Sequence, residues 1–261
     1  MDRFAGRVAV ITGAGAPDGI GIAVARLLVS DGAHVVLGAT TDRVHDRARE
    51  LGDAAIGVVA DLTTPEGPTA MVDAALERWG RVDVLVNNAG MTSAASGWDA
   101  DAEVADLDVP EWEATLARNL TTAFAMCRAV VPPMRAAGYG RIVNIASTSG
   151  TVNAMPRQAG YTAAKAAVVG LSRALALEVV GDGITVNVVA PGYVATGSQL
   201  GFEAAAAAAG PIGRSGTPEE IAHCVAFLAD EASSFVTGTV LVADGGHSIP
   251  ETWPPPATVL G

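Results

Sequence analysis

Two residues in the run Tyr-Thr-Ala-Ala-Lys, Tyr161 and Lys165, carry the most chemical information in this 261-residue chain. Lys165 is the single lysine among 16 basic residues; the other fifteen are arginines. Where arginine fills every other basic position, a retained lysine points to a site that needs a compact, rotatable ammonium, for which a planar guanidinium fork cannot substitute. A spacing of four puts both side chains on one face of a helix. The pair is thus the strongest clue to function in the chain. The alternative is a compositional bias that left one lysine at an arbitrary place, which would follow a tyrosine at this spacing roughly one time in a hundred.

Such a pair needs elements to hold it. Short β-branched runs (RVAVIT, HVVLGA, AIGVVA, VDVLVN, RIVNIA, ITVNVVA and TVLVA) alternate with longer alanine-rich segments of helical character. The runs are apolar almost throughout instead of alternating, as expected of parallel strands covered on both faces. Segments such as GIAVARLLVSDG and PTAMVDAALERWG space their apolar residues as helices do and end at glycine. The β-α-β-α order predicts one doubly wound α/β domain over residues 1–246, with a seven-stranded, mostly parallel sheet, helices on both faces and right-handed crossovers. A ligand is expected beyond the carboxyl ends of the strands.

The loops at those ends are TGAGAPDGIG, Asp61, NNAG, ASTSG and PGYVAT. Gly13, Gly15, Gly19 and Gly21 lie between the first strand and a helix that starts near Ile20. A turn of this kind lets backbone N–H groups approach a pyrophosphate at the positive helix end, although any tight strand-to-helix turn also favours glycine. A carboxylate after the second strand would bind adenosine ribose hydroxyls, and its absence leaves room for a 2′-phosphate. Here that strand ends in Gly38-Ala39-Thr40-Thr41, with no acid before Asp42 and Arg43 next.

Composition narrows the classes. Half the residues are apolar, and 16 basic against 28 acidic residues give a net charge of −12, which disfavours nucleic acid and anionic membrane surfaces as partners. No signal-peptide order is expected at the N-terminus, and no apolar run approaches a membrane span. Cys127 and Cys224 are expected to be buried thiols in a reducing, cytoplasmic compartment. His34, His45, His223 and His247 form no pair at metal-ligand spacing, so no metal is expected, and a G-x-S-x-G nucleophile elbow is absent.

Taken in order and spacing, TGAGAPDGIG, NNAG, YTAAK and PGYVAT resemble the short-chain dehydrogenase/reductase family, from about Arg7 to Gly246. The resemblance implies a Rossmann-type fold, a nicotinamide dinucleotide and a catalytic group formed here by Asn119, Ser147, Tyr161 and Lys165. It implies that Tyr161 protonates a carbonyl oxygen as hydride arrives, or acts as the base in reverse, and that Lys165 favours the phenolate and donates to the nicotinamide ribose. Ser147 would hold the substrate oxygen, with Ser149 as a competitor; it lies fourteen residues before Tyr161, where thirteen is common. Asn119 matches the asparagine that holds a relay water, or is a polar residue bonded within a helix kink. Asn88, Ala89 and Gly90 would line the cofactor. Asp61, beside Leu62, would accept from the adenine amino group or cap the next helix. Pro191, Gly192, Val194 and Thr196 match the loop that receives the carboxamide. Homotetramers or dimers are also implied.

The chain departs from the family pattern in places. Five residues, Ala14 to Asp18, separate the first glycine from Gly-Ile-Gly, where three are usual. A carboxylate facing a pyrophosphate is repelled, so Asp18 is expected to point away or cap the helix. The missing acid, with Thr40, Thr41 and Arg43, favours NADP(H), with NAD(H) the alternative. Seven acidic and no basic residues lie between Asp99 and Glu113, near the substrate entrance of this fold. Carrier proteins are acidic, so the rim favours a free small ketone or alcohol (a carbonyl reductase or alcohol dehydrogenase) over a 3-oxoacyl carrier protein, unless it is merely a solvated face. Enoyl reductases of the family space tyrosine and lysine by seven, not four. A non-catalytic dinucleotide-binding protein is the remaining alternative. Residues 194–213, with six consecutive alanines, are expected to form a lid over apolar substrate surface, and 247–261 a proline-rich tail whose Trp253 packs on a neighbouring subunit.

Overall fold

Every one of the apolar runs becomes a strand: β1 (Val8–Ile11), β2 (His34–Ala39), β3 (Ala55–Val59), β4 (Val84–Asn87), β5 (Gly140–Ile145), β6 (Ile184–Pro191) and β7 (Val240–Ala243). The protein is described by a computed structural model over residues 2–90 and 102–250. The seven strands form one sheet in the order β3-β2-β1-β4-β5-β6-β7, and every pairing is parallel. The chain starts in the centre, winds outward through β2 and β3, then returns to β1's other side. That reversal opens a crevice between the carboxyl ends of β1 and β4, the place where such folds bind ligands.

The helices are α1 (Ile20–Ser30), α2 (Arg43–Leu51), α3 (Glu66–Trp79), α4 (Val109–Leu116), α5 (Thr122–Ala137), the short turn α6 (Thr148–Thr151), α7 (Ala159–Val179), α8 (Gly201–Ala209) and α9 (Pro218–Ala229). Strand alternation divides the core in two. Ala9, Ile11, Val35 and Leu37 point to the layer of α1 and α9, with Ile22, Leu28, Ile221 and Val225. Val8, Val10, Val36 and Leu85 point to the layer of α3, α5 and α7, with Met71, Val130 and Val179. Strands buried on both faces explain the nearly unbroken apolar runs.

Two polar devices fix this frame. Buried Asp83 accepts from Val8 N–H at 2.9 Å, from Arg81 at 2.6 and 2.7 Å and from Arg7 at 3.0 Å, so its desolvation is offset by charge-assisted bonds that join β1 to β4. Deeper in the sheet, Asn87 Nδ2 donates to Asn144 Oδ1 at 2.8 Å, Asn144 Nδ2 to Ser172 Oγ at 2.8 Å, and Ser172 Oγ to Val168 O at 2.7 Å. Loss of one member would leave a buried partner unsatisfied, at about 1–3 kcal/mol. This chain of bonds ties α7 to β4 and β5. Of the two thiols, Cys127 is buried and Cys224 only half-buried, which corrects the expectation for Cys224. Burial pushes the Cys127 thiol up to about 12.

Candidate active site

The turn after β1 brings the glycines to the crevice. Gly13 has φ 68°, and a Cβ there would lie 2.9 Å from Ala89 Cα and from Asn88 Nδ2, so glycine alone fits. Asn88 Nδ2 donates to the carbonyls of Thr12 and Gly13, both at 3.0 Å. The Thr12 hydroxyl accepts from Asn88 and Ala89 N–H at 3.0 and 2.9 Å. Asn88 thus clamps the glycine turn to the end of β4. Gly15 packs against Ala39, while Gly19 stands as N-cap of α1, whose first turn carries no acid. Gly21 packs on Asn88 and Gly13. Asp18 is exposed and makes no cap bond to α1; its carboxylate lies against Gly197 at the base of the α8 segment, 2.5 Å from where a Cβ would be.

At the adenosine end, Thr40, Thr41 and Arg43 are exposed beyond β2, and Arg43 Nε donates to Thr41 Oγ1 at 3.2 Å. Leu62 is buried. Asp61 Oδ1 accepts from Thr63 N–H at 2.9 Å and from its hydroxyl at 2.6 Å, and these bonds hold the carboxyl below its usual range. One of its oxygens therefore organises the following turn.

A cavity of about 360 Å³ continues from this crevice. Ile20, Asn88, Gly90, Pro191, Gly192, Val194 and Thr196 line it together with Ser147, Tyr161 and Lys165. Ser147 caps α6 by accepting from Ser149 N–H at 3.2 Å. Burial raises the Tyr161 pKa most; a hydrogen bond with Ser147 lowers it and the negative charge of Glu203 raises it. The contact with the phenol is thus made by Ser147, although Ser149 also lines the cavity. The segment between Ser147 and Tyr161 includes Arg157 at φ 66°, a left-handed conformation uncommon for a non-glycine residue.

Lys165 Nζ donates to Ile145 O at 3.1 Å and lies 5.5 Å from the Tyr161 ring centroid. Burial lowers its pKa to about 8. The Ser147 hydroxyl thus lowers the phenol's pKa, and the ammonium stands beside the ring. Asn119 is buried in a π-helical turn, Ala117–Thr121, between α4 and α5, and donates to Thr115 O at 3.1 Å. It sits in a helix irregularity, and its amide oxygen lies close to Gly90, which lines the cavity. Gly90, at φ 143°, shows this, because a Cβ there would be 2.7 Å from Asn119 Oδ1 and 3.3 Å from Lys165 Nζ. A methyl group would occupy the space between amide and ammonium.

The α8 segment differs from expectation. Its alanines are mostly exposed, with Ala207 buried. Glu203, one turn earlier on the same face, borders the cavity together with Ser198, Gln199 and Tyr193. The cavity lining is therefore mixed, since Ile20, Met155 and Val194 also border it. His247 also borders it: Asp244 accepts from Gly246 and Ser248 N–H, both at 2.9 Å, and presents the imidazole edge-on to Tyr193 at 5.3 Å. The expected boundary after Gly246 thus falls inside the site. Trp253 lies outside the described residues, as do Asp99 and Asp101 of the acidic segment. In the rest of that segment Glu103, Asp106, Asp108 and Glu113 are exposed. Trp112 and Thr115 of α4 pack on Gly160, next to Tyr161. Among the described residues no cluster of His, Cys, Asp or Glu could hold a metal ion, and no helix is long and apolar enough to cross a membrane.

The glycine cradle at the start of α1, the exposed Thr40–Thr41 edge and the cavity wall fit a nicotinamide dinucleotide, and the fold and site together define a nicotinamide-dependent oxidoreductase acting on a CH–OH/C=O group. The chain belongs to the short-chain dehydrogenase/reductase family. A family model described as enoyl-(acyl carrier protein) reductase matches residues 13–248. The chain is similar to a cis-4-hydroxycyclohexanecarboxylate dehydrogenase of Sinomonas cyclohexanicum, 41% identical over 95% of this chain and 98% of the relative. It is similar to the trans-4-hydroxycyclohexanecarboxylate dehydrogenase of the same organism, 40% identical over 95% of each. A 3-oxoacyl-[acyl-carrier-protein] reductase of Vibrio cholerae is 39% identical over 92% of this chain and 97% of the relative.

Proposed function

We propose that this protein catalyses reversible hydride transfer between NADP(H) and a small, free ketone or secondary alcohol. The observation that supports this best is the convergence of Ser147, Tyr161 and Lys165 on one cavity that residues of the Asn88–Gly90 and Pro191–Thr196 loops also line. Ser147 hydrogen-bonds the substrate oxygen and Tyr161 gives that oxygen its phenolic proton. The nicotinamide, when bound, supplies the hydride to the carbonyl carbon. Lys165 keeps a positive charge beside the phenolate as it forms, and the amide of Asn119 faces the ammonium across Gly90, where a relayed proton restores the phenol. In the oxidation direction the same groups run in reverse.

For the cofactor, Thr40, Thr41 and Arg43 offer hydroxyls and a guanidinium to a 2′-phosphate. NADPH is expected to be preferred over NADH by about tenfold or more in kcat/KM, and Arg43→Ala to remove most of that preference. A large preference of the wild type for NADH would overturn the assignment.

The relatives also include carrier-protein reductases. The exposed acids from Glu103 to Glu113, on and before α4, disfavour an acidic carrier protein; efficient turnover of a carrier-bound 3-oxoacyl substrate alone would favour that second reading. Enoyl reduction is disfavoured by the Tyr161–Lys165 spacing of four. Phe235 is fully exposed and Phe227 half-exposed, apolar surface that supports a homotetramer or dimer.

A further inference from the structure

Among the described residues one carboxylate that the reaction does not use lines the cavity. Glu203 projects from the first turn of α8, half-buried, and its Oε2 accepts from Leu200 N–H at 2.8 Å. That bond holds the side chain at the start of the segment, where it borders the same cavity as Tyr161, Tyr193 and Gln199. Its charge reaches both phenols: after burial, Glu203 raises Tyr193, and it adds to the rise of Tyr161. Little positive charge opposes it. The Lys165 ammonium lies on the Tyr161 side of the cavity, 5.5 Å from the ring centroid and bonded to Ile145 O, and among the described lining residues there is no arginine. His247 is the remaining lining residue that could carry a positive charge.

We propose that Glu203 is a specificity-determining residue that selects neutral, polar ketones and alcohols and rejects carboxylate-bearing ones. The inference rests on the ketone/alcohol reading above and runs against the substrate class in the names of two relatives. A second carboxylate brought into this cavity would sit within several ångströms of Glu203. At an effective dielectric of about 20, two like charges about 7 Å apart repel enough to change an equilibrium by more than about tenfold. Gln199, Ser198 and Tyr193 instead offer hydrogen bonds to hydroxyl or amide groups on the substrate. The rim acids from Glu103 to Glu113 work in the same direction by slowing approach of an anion.

The test uses two ketones of nearly the same shape, 4-oxocyclohexanecarboxylate and 4-oxocyclohexanecarboxamide, with cyclohexanone alongside. Wild-type enzyme is expected to favour the amide over the carboxylate by about tenfold or more in kcat/KM, and the ratio should shrink as salt rises. Glu203→Gln keeps an oxygen for Leu200 N–H and should lower the ratio about tenfold, chiefly because the carboxylate becomes a better substrate. A gain of that kind cannot come from misfolding. Equal or better turnover of the carboxylate by the wild type, or an unchanged ratio in Glu203→Gln, would overturn the proposal. Failure of all three ketones to consume NADPH would instead overturn the hydride-transfer reading on which it rests.

Discussion

Tyr161→Phe is expected to lower kcat for ketone reduction by about a thousandfold or more, with cofactor affinity changed by less than about threefold. The substitution removes one oxygen and keeps the ring, so the packing around α7 and the ammonium 5.5 Å from the ring centroid are retained. What disappears is the proton given to the substrate oxygen and the hydrogen bond with Ser147. General acid catalysis by a positioned group contributes about 10²–10⁴-fold, and here the acid also helps to orient the substrate, so the upper half of that range applies. Steady-state kinetics with fluorescence titration of NADPH separate the two quantities. A non-catalytic dinucleotide-binding protein would show no turnover to lose.

Lys165→Arg should lose most activity, about a hundredfold, while unfolding at nearly the same denaturant concentration as the wild type. The ammonium occupies a buried slot bounded by Ile145 O at 3.1 Å and by Gly90. A guanidinium is larger, planar and unable to make the same single contact, so charge is preserved and position is not. The wild type supplies a second sign of the same group. Burial lowers the Lys165 pKa to about 8, so its charge is present below that pH and is lost as pH rises through it. Because kcat/KM reports the free enzyme, ketone reduction should fall about tenfold per pH unit above pH 8. In Lys165→Arg that fall should vanish from whatever activity remains, since a guanidinium stays charged there. A pH profile that is flat to pH 10 in the wild type, or near wild-type turnover by the arginine variant, would remove Lys165 from the mechanism.

The strands and the cofactor turn were readable from sequence because they depend on local chemistry. Parallel strands buried on both faces must be apolar at successive positions, and a tight turn such as that at Gly13 must accept positive φ. Lys165 stood out because composition isolates it. Features that depend on distant partners were not readable. His247 resembles the start of a tail until Asp244, Tyr193 and the end of α8 fix its place. The alanine run suggested an apolar lid, yet helix geometry turns most of those methyl groups to solvent and Glu203 inward. The π-turn around Asn119 has no signature in apolar periodicity, because it inserts one residue into an otherwise regular helix. Asn87, Asn144 and Ser172 read as polar interruptions of apolar segments, and only the fold shows that they satisfy one another. Asp18 marks a similar limit: its charge argued that it would avoid the pyrophosphate cradle, but nothing local indicated Gly197 as its neighbour.

The most direct measurement follows one hydrogen atom. NADPH deuterated at C4, prepared separately for each face of the ring, is incubated with the enzyme and a neutral cyclic ketone, and the alcohol is analysed by mass spectrometry and NMR. The account predicts that one of the two cofactors places a single deuterium on the carbinol carbon, that the other places none, and that Tyr161→Phe nearly abolishes the labelled product. An alcohol unlabelled from both cofactors, or no alcohol at all from the wild type, would contradict hydride transfer at this site.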